Sequence, residues 1–133
     1  MTARILVVDD DPECLQFMKY ALERGDFIVS PATSVDTAVR WLREPGYRPD
    51  LVILDVALST RGTEGLALCE SIKNDAATRH IPVVIMTGFP DNARQVEAML
   101  AHANLFLRKP VEPARLREAA DALLTAAKPT ATV

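Results

Sequence analysis

Short apolar runs rich in β-branched residues recur along the chain and predict the strands of a sheet. The five runs lie at residues 5–8, 27–29, 51–54, 83–86 and 105–107. The run at 51–54 is an unbroken series of large apolar residues, which is typical of a strand that is buried on both faces. The run at 27–29 is shorter, and we expect that strand to be more exposed.

Between these runs, apolar residues recur three or four positions apart, which predicts amphipathic helices. The first helix is expected to follow Asp11 as N-cap, with Pro12 as its first helical residue. The later helices are expected after Ser34, after the loop that holds Gly62 and Gly65, after Asp91, and near Pro113. Because strand and helix alternate five times, the pattern predicts a (βα)5 α/β fold with a parallel sheet and helices on both faces.

The composition fits one domain, because 133 residues with 49% hydrophobic content can form a single core. We expect that domain to span residues 3–127, with residues 128–133 as a polar tail or the start of a linker. The net charge of −3 and the lack of a basic cluster argue against a nucleic-acid surface. No membrane-spanning run or signal peptide appears, so we expect a cytoplasmic protein without membrane contact.

The sequence holds two cysteines and two histidines, and none of them forms a recognisable ligand pattern. Cys14 and Cys69 each fall within a helical apolar pattern, so we interpret both as buried free thiols rather than as a disulfide or a metal pair. His80 and His102 stand apart from other potential ligands.

Polar residues follow four of the predicted strands at their carboxyl ends. They are Asp9 and Asp10 after the first strand, Asp55 after the third, Thr87 after the fourth and Lys109 after the fifth. In open α/β sheets, ligands bind at this edge. Three carboxylates crowded there repel one another, and a divalent cation such as Mg²⁺, which prefers oxygen ligands, would remove that cost.

Asp55 is therefore a candidate nucleophile, because aspartate can accept a phosphoryl group as an aspartyl phosphate. The negative oxygens of that group would suit the metal, the Lys109 ammonium and the Thr87 hydroxyl. Taken singly, each residue has a plainer explanation, such as a helix cap or a solvated surface charge. Their position on four separate strand ends favours a common site.

Four segments carry a resemblance to a known family. They are Ile5-Leu-Val-Val-Asp-Asp-Asp-Pro12, Asp50-Leu-Val-Ile-Leu-Asp55, Val84-Ile-Met-Thr-Gly88 and Phe106-Leu-Arg-Lys-Pro110. Together they resemble the receiver domain of two-component response regulators, of the chemotaxis-response-regulator-like kind, over about residues 3–127. The resemblance implies a flavodoxin-like, doubly wound sheet with strand order 2-1-3-4-5.

The resemblance also implies a phosphorylated site. Asp55 would accept the phosphoryl group from a sensor histidine kinase or a histidine phosphotransfer protein. The Mg²⁺ ligands would be Asp10 directly, Asp9 largely through water, Asp55, and the backbone carbonyl of Ala57. Thr87 and Lys109 would contact the phosphoryl group. The module would not be an enzyme beyond catalysing its own phosphorylation and slow autodephosphorylation.

The implied output is a conformational switch, in which Thr87 moves and Phe106 changes rotamer. It would alter the surface formed by the fourth helix, fifth strand and fifth helix. That surface would control an effector protein or an output domain, and it offers a site for a homodimer. The Lys109–Pro110 peptide bond is cis in many members of this family.

Several alternatives stay open at this point. A degenerate receiver would act as an unphosphorylated interaction module. An aspartate-nucleophile phosphohydrolase would need a second carboxylate where Ala57 stands, and a flavodoxin-like cofactor binder would need a phosphate-binding loop after the first strand. Ser59 and a late Gly65 indicate a lengthened loop after Asp55. The chain is either a stand-alone receiver or the N-terminal part of a longer regulator.

Overall fold

The computed structural model describes residues 2–55, 63–87 and 103–127. Its elements are β1 (Arg4–Val8), α1 (Pro12–Glu23), β2 (Ile28–Ala32), α2 (Val35–Arg43), β3 (Leu51–Asp55), α3 (Thr63–Asn74), β4 (Val83–Thr87), β5 (Leu105–Arg108) and a C-terminal helix (Pro113–Ala127). The strands form one parallel sheet in the order β2-β1-β3-β4-β5. The predicted α/β fold and strand order are confirmed. Four predicted features lie outside the described residues. They are the helix expected after Asp91, the backbone carbonyl of Ala57, the loop after Asp55, and the tail at residues 128–133.

Side chains alternate along each strand, and this alternation divides the core into two layers. On one face, Ile5 and Ile53 pack in a cluster with residues of α1 and the C-terminal helix. On the other face, Leu6 and Leu54 pack with residues of α2 and α3. All four residues of β3 before Asp55 are at most 1% exposed, as their unbroken apolar run predicted. The strand therefore places its terminal aspartate at the carboxyl edge of the sheet.

Strand β2 is the edge strand next to β1, and it extends further than the predicted range of 27–29. Pro31 lies within it, which an edge strand tolerates because one side of its backbone has no ladder partner. The Pro31 carbonyl instead accepts a hydrogen bond from Trp41 Nε1 at 3.0 Å. The strand therefore continues through Pro31 to Ala32, beyond the apolar run that ends at Val29.

Helix α1 begins where the sequence predicted. The Asp11 side chain accepts a hydrogen bond from the Glu13 backbone N–H at 3.0 Å, and Pro12 is the first helical residue. This N-cap keeps Asp9 and Asp10 in the short connection at the carboxyl edge of the sheet. Within the described ranges, no helix combines the length and the apolar composition needed to cross a membrane.

Candidate functional site

Three charged side chains meet at the carboxyl ends of β1, β3 and β5. Lys109 Nζ forms an ion pair with Asp55 Oδ2 and lies 4.0 Å from Asp9 Oδ2. Both carboxylate side chains are 0% exposed, whereas 22% of the Lys109 side chain remains exposed. The lysine is thus the solvent-accessible member of a cluster whose negative charges are buried.

Asp9 is the carboxylate whose charge is least compensated. Its Oδ1 accepts a hydrogen bond from the Asp11 backbone N–H at 2.9 Å. Its Oδ2 is buried and has no hydrogen-bond partner among the residues that the structure describes. Burial is the main cause that raises the pKa of Asp9 to about 6, and the negative charge of Asp55 adds to the rise. The Cys14 thiol and the Asp11 backbone N–H lower the pKa of Asp9, but less than burial and Asp55 raise it.

Lys109 stays protonated in this cluster. Burial by itself would lower the pKa of the lysine, but the hydrogen bond and the charge of Asp55 outweigh burial and raise the pKa. The peptide bond between Lys109 and Pro110 is cis. At neutral pH, a full positive charge therefore lies beside the buried aspartates.

Cys14 also belongs to this cluster, although its sequence pattern predicted only a buried thiol. Its Sγ lies 3.4 Å from Lys109 Nζ and 4.0 Å from Asp55 Oδ2. Burial raises the pKa of the Cys14 thiol to about 12, and Asp9 contributes to the rise, so the thiol is protonated at neutral pH. The signal that could have identified Cys14 is its position in the first turn of α1, beside the aspartates.

The two cysteines have different surroundings. Neither forms a disulfide, as predicted. Cys69 is buried in the layer between the sheet and α2 and α3. Cys14 is only half-buried, so the expectation of full burial was wrong for it. The difference follows from the position of Cys14 at the edge of the sheet rather than beneath its centre.

The cluster offers ligands for a metal ion. Asp9, Cys14 and Asp55 each supply one potential ligand atom, and these atoms all lie within 4.8 Å of one another. The two carboxylates, one with a buried oxygen that lacks a hydrogen-bond donor in the described chain, fit a hard cation such as Mg²⁺. Asp10 is exposed and is not part of this group, so its direct contact with Mg²⁺ stays a prediction. The Ala57 carbonyl lies outside the described residues.

The two predicted switch residues, Thr87 and Phe106, lie on β4 and β5, which pair with each other. Thr87 ends β4 and pairs in register with Arg108, so its backbone reaches the same edge as Lys109. The Thr87 side chain lies outside the described part of the structure. Phe106 is half-buried and packs against the core layer that faces α2 and α3. The roles of both residues in a switch stay predictions.

Comparison of the sequence with known proteins identifies relatives of this chain. The chain is 34% identical over 116 residues to Response regulator PleD from Caulobacter vibrioides, a match that covers 87% of this chain and 25% of PleD. It is 35% identical over 116 residues to the phosphate regulon transcriptional regulatory protein PhoB from Klebsiella pneumoniae, with coverage of 87% and 49%. The chain therefore spans less than half of either relative.

Solved structures agree with these sequence matches. The signal receiver domain of a signal transduction histidine kinase from Syntrophus aciditrophicus superposes with a TM-score of 0.83 at 31% identity, over 99% of this chain and 97% of that one. A CheY-like response regulator receiver domain protein from Methanospirillum hungatei has a TM-score of 0.84 at 25% identity, over 96% and 98%. The sequence model described as "Response regulator receiver domain" matches residues 5–121. The chain thus belongs to the family of response regulator receiver domains.

Proposed function

We propose that residues 3–127 form a phosphorylation-controlled signalling module in which Asp55 is the phosphoacceptor. The observation that carries this proposal is the ion pair between Lys109 and the buried Asp55 side chain, with Asp9 beside it. The proposed donor is the phosphohistidine of a sensor histidine kinase or a histidine phosphotransfer protein. Membership of the family supports this class of donor.

In the proposed transfer, a carboxylate oxygen of Asp55 forms a bond to phosphorus while the bond from phosphorus to the histidine nitrogen breaks. The Lys109 ammonium already lies beside the reacting oxygen, so a small movement of its side chain would bring its charge onto the phosphoryl oxygens. The Thr87 hydroxyl is the proposed second donor to that group. The position of Lys109 supports stabilisation of the transferred charge without a large rearrangement of that side chain.

Mg²⁺ is the proposed cofactor, and its ligands would be Asp9, Asp10, Asp55 and the Ala57 carbonyl. When bound, it supplies positive charge for the phosphoryl oxygens. The buried Oδ2 of Asp9 supports this assignment, because its ionised form is costly without a nearby cation. Asp9 would thus help to hold the cation, largely through water, while the partly exposed Lys109 side chain supplies the second positive charge.

The proposed output is a change of the surface formed by the predicted fourth helix, β5 and the C-terminal helix, reported by Thr87 and Phe106. An effector protein, an output domain or a second copy of the chain would bind this surface. The greater length of PleD and PhoB supports an output domain in the whole protein. Neither nucleic acid nor membrane is proposed as a direct partner of this domain, and the cytoplasmic location stays a prediction.

The alternatives are less well supported. A degenerate receiver would not need a lysine paired with the acceptor beside a second buried carboxylate, and both features are present. A phosphohydrolase would need an acid at position 57, where the sequence has alanine. The described site therefore favours a module that is itself phosphorylated over an enzyme that acts on other substrates.

The test is intact mass after incubation with Mg²⁺ and acetyl phosphate, for wild type, Asp55→Asn and Asp50→Asn. Asp50 is the matched control, because it lies at the other end of β3 and accepts a hydrogen bond from the Arg4 backbone N–H at 2.8 Å. We expect one added phosphoryl group on wild type and Asp50→Asn, none on Asp55→Asn, and none with a chelator. Equal labelling of all three proteins would overturn the assignment of Asp55, and no labelling of any would favour the degenerate receiver.

A further inference from the structure

We propose that Cys14 extends this site into a binding site for a thiophilic divalent cation such as Zn²⁺, with the Cys14 sulfur and the carboxylates of Asp9 and Asp55 as ligands. A receiver site made only of carboxylates and carbonyls offers hard oxygen ligands, which suit Mg²⁺. A thiol at the same point changes which cations the site prefers. The proposal concerns cation binding and does not depend on whether Asp55 accepts a phosphoryl group.

The three ligand atoms converge on one point. They all lie within 4.8 Å of one another, and Cys14 Sγ is 4.0 Å from Asp55 Oδ2. With metal–ligand bonds of about 2.0–2.3 Å, the ligands of a tetrahedral zinc ion stand about 3.6 Å apart. Short side-chain movements would therefore bring all three atoms into coordination distance.

A positive group already lies at this point of convergence. Lys109 Nζ pairs with Asp55, lies 3.4 Å from Cys14 Sγ, and is 4.0 Å from Asp9 Oδ2. The Lys109 side chain is 22% exposed, so its ammonium can turn toward solvent and leave this position to a metal ion. The lysine thus marks the point at which the two carboxylates and the neutral thiol sulfur converge.

The oxygen of Asp9 provides an independent indication of a ligand. Its Oδ2 belongs to a side chain that is 0% exposed, and it has no hydrogen-bond donor within the described residues. A buried carboxylate oxygen without a donor is costly unless a cation or another donor reaches it. The thiol is therefore not isolated, because it lies beside a buried carboxylate oxygen whose nearest cation, the Lys109 ammonium, is 4.0 Å away and which has no hydrogen-bond donor within the described residues.

The chemistry of binding balances in charge. As the metal–sulfur bond forms, the thiol proton of Cys14 passes to solvent, and no electron is transferred. The thiolate and two carboxylates then carry three negative charges, which the divalent ion and the Lys109 ammonium neutralise together. Water would take the fourth position of a tetrahedral zinc ion.

The experiment uses Co²⁺ as a spectroscopic substitute for Zn²⁺. Metal-free protein is titrated with Co²⁺ while the near-ultraviolet thiolate-to-cobalt absorption band is followed, and Zn²⁺ is then added to compete. We expect wild type to develop the band with one equivalent of Co²⁺ and to lose it on addition of Zn²⁺. Cys14→Ser should lack the band and bind Zn²⁺ at least about tenfold more weakly.

Cys69→Ser is the matched control, because it removes the other thiol, which is buried in a different core layer. It should retain the band. Far-ultraviolet circular dichroism should give the wild-type spectrum for Cys14→Ser, which shows that the loss of the band is not a loss of the fold. Asp9→Asn, which keeps the thiol, should need at least about tenfold more Co²⁺ to develop the band.

Three results would overturn the proposal. The first is a wild-type protein that binds Co²⁺ without the band, and the second is a band that persists in Cys14→Ser. The third is loss of the band in Cys69→Ser, which would assign the cation to a different thiol. Because phosphorylation is not measured, failure here leaves the proposed role of Asp55 as it stands.

Discussion

Two partly buried lysines lie at opposite ends of the sheet, and their charges are stabilised in different ways. Lys73 of α3 lies near the start of β4, where it donates to the Ile81 carbonyl at 2.7 Å and to Asn104 Oδ1 at 2.9 Å. These acceptors are neutral, and burial lowers the pKa of Lys73. Lys109 lies at the carboxyl end beside two aspartates, whose charges overcome burial and raise its pKa.

The difference lies in how completely the local polar groups satisfy one another. At the amino end of the sheet, Asn104 Oδ1 accepts from both Lys73 and the Val83 backbone N–H, which lies 2.9 Å away. At the carboxyl end, Asp9 Oδ2 lacks a donor among the described residues. A partly buried charge is therefore not a sign of function by itself. An excess of buried negative charge next to a single accessible lysine is a better indication.

The largest expected effect is a difference between the two lysines in the rate of phosphorylation. Lys109→Met should slow phosphorylation by acetyl phosphate and Mg²⁺ about 10²–10³-fold, because it removes the ammonium that stabilises the transferred group. Lys73→Met should stay within about twofold of wild type, since its partners are structural. The rates are followed by intact mass over time. Similar losses in both variants would contradict the division between a functional and a structural lysine.

The second effect concerns the contribution of Lys73 to the free energy of unfolding. Lys73→Met should lower the free energy of unfolding by about 1–3 kcal/mol, because the Ile81 carbonyl loses a donor in a partly buried place. Urea denaturation followed by circular dichroism measures this change. Asn104→Leu and the double variant complete a cycle, in which the two losses should not add. Additive losses would show that Lys73 and Asn104 act independently.

The third effect concerns the pH dependence of stability caused by Asp9. Its pKa is about 6 in the folded protein against an ordinary 3.8, so between these values the folded state binds more protons than the unfolded state. Stability should therefore fall as pH rises through this window, and the cost is complete above about pH 6. In chelator, Asp9→Asn should raise the free energy of unfolding by on the order of 1–3 kcal/mol near neutral pH.

The same variant should gain much less stability at about pH 4.5, where the wild-type carboxyl is already largely protonated in the fold. Urea denaturation at the two pH values measures the difference. Mg²⁺ should also stabilise wild type more than Asp9→Asn, because the cation relieves the same buried charge. A pH-independent gain would show that Asp9 destabilises the protein through packing rather than through its charge.

The smallest expected effect concerns Asp11, the last of the three consecutive aspartates that follow β1. Asp11→Ala should cost about 1 kcal/mol of stability, because the Glu13 N–H loses its cap acceptor, and should change the phosphorylation rate less than about twofold. Asp11→Asn is the matched control and should retain most of the stability, since asparagine caps equally well. A large loss of phosphorylation in Asp11→Ala would place this residue in the site instead of at the helix start.

Local pattern was sufficient for much of the fold. The unbroken run at 51–54 predicted a strand buried on both faces, and Asp11 with Pro12 predicted the start of α1, because each depends on neighbours in the chain. The extent of β2 was wrong, since only its position at the edge of the sheet makes Pro31 acceptable. Edge position is a property of the assembled sheet, and the short run at 27–29 indicated only that this strand would be more exposed.

The sequence by itself determined that Asp9, Asp55 and Lys109 would meet, because parallel strands present their carboxyl ends along one edge. Only the tertiary structure brought Cys14 against Lys109, which is 95 residues away. It also decided that Asp9, and not the neighbouring Asp10, is buried. Both outcomes depend on how α1 packs against the sheet, and distances of a few ångströms between distant segments are not encoded in a local pattern.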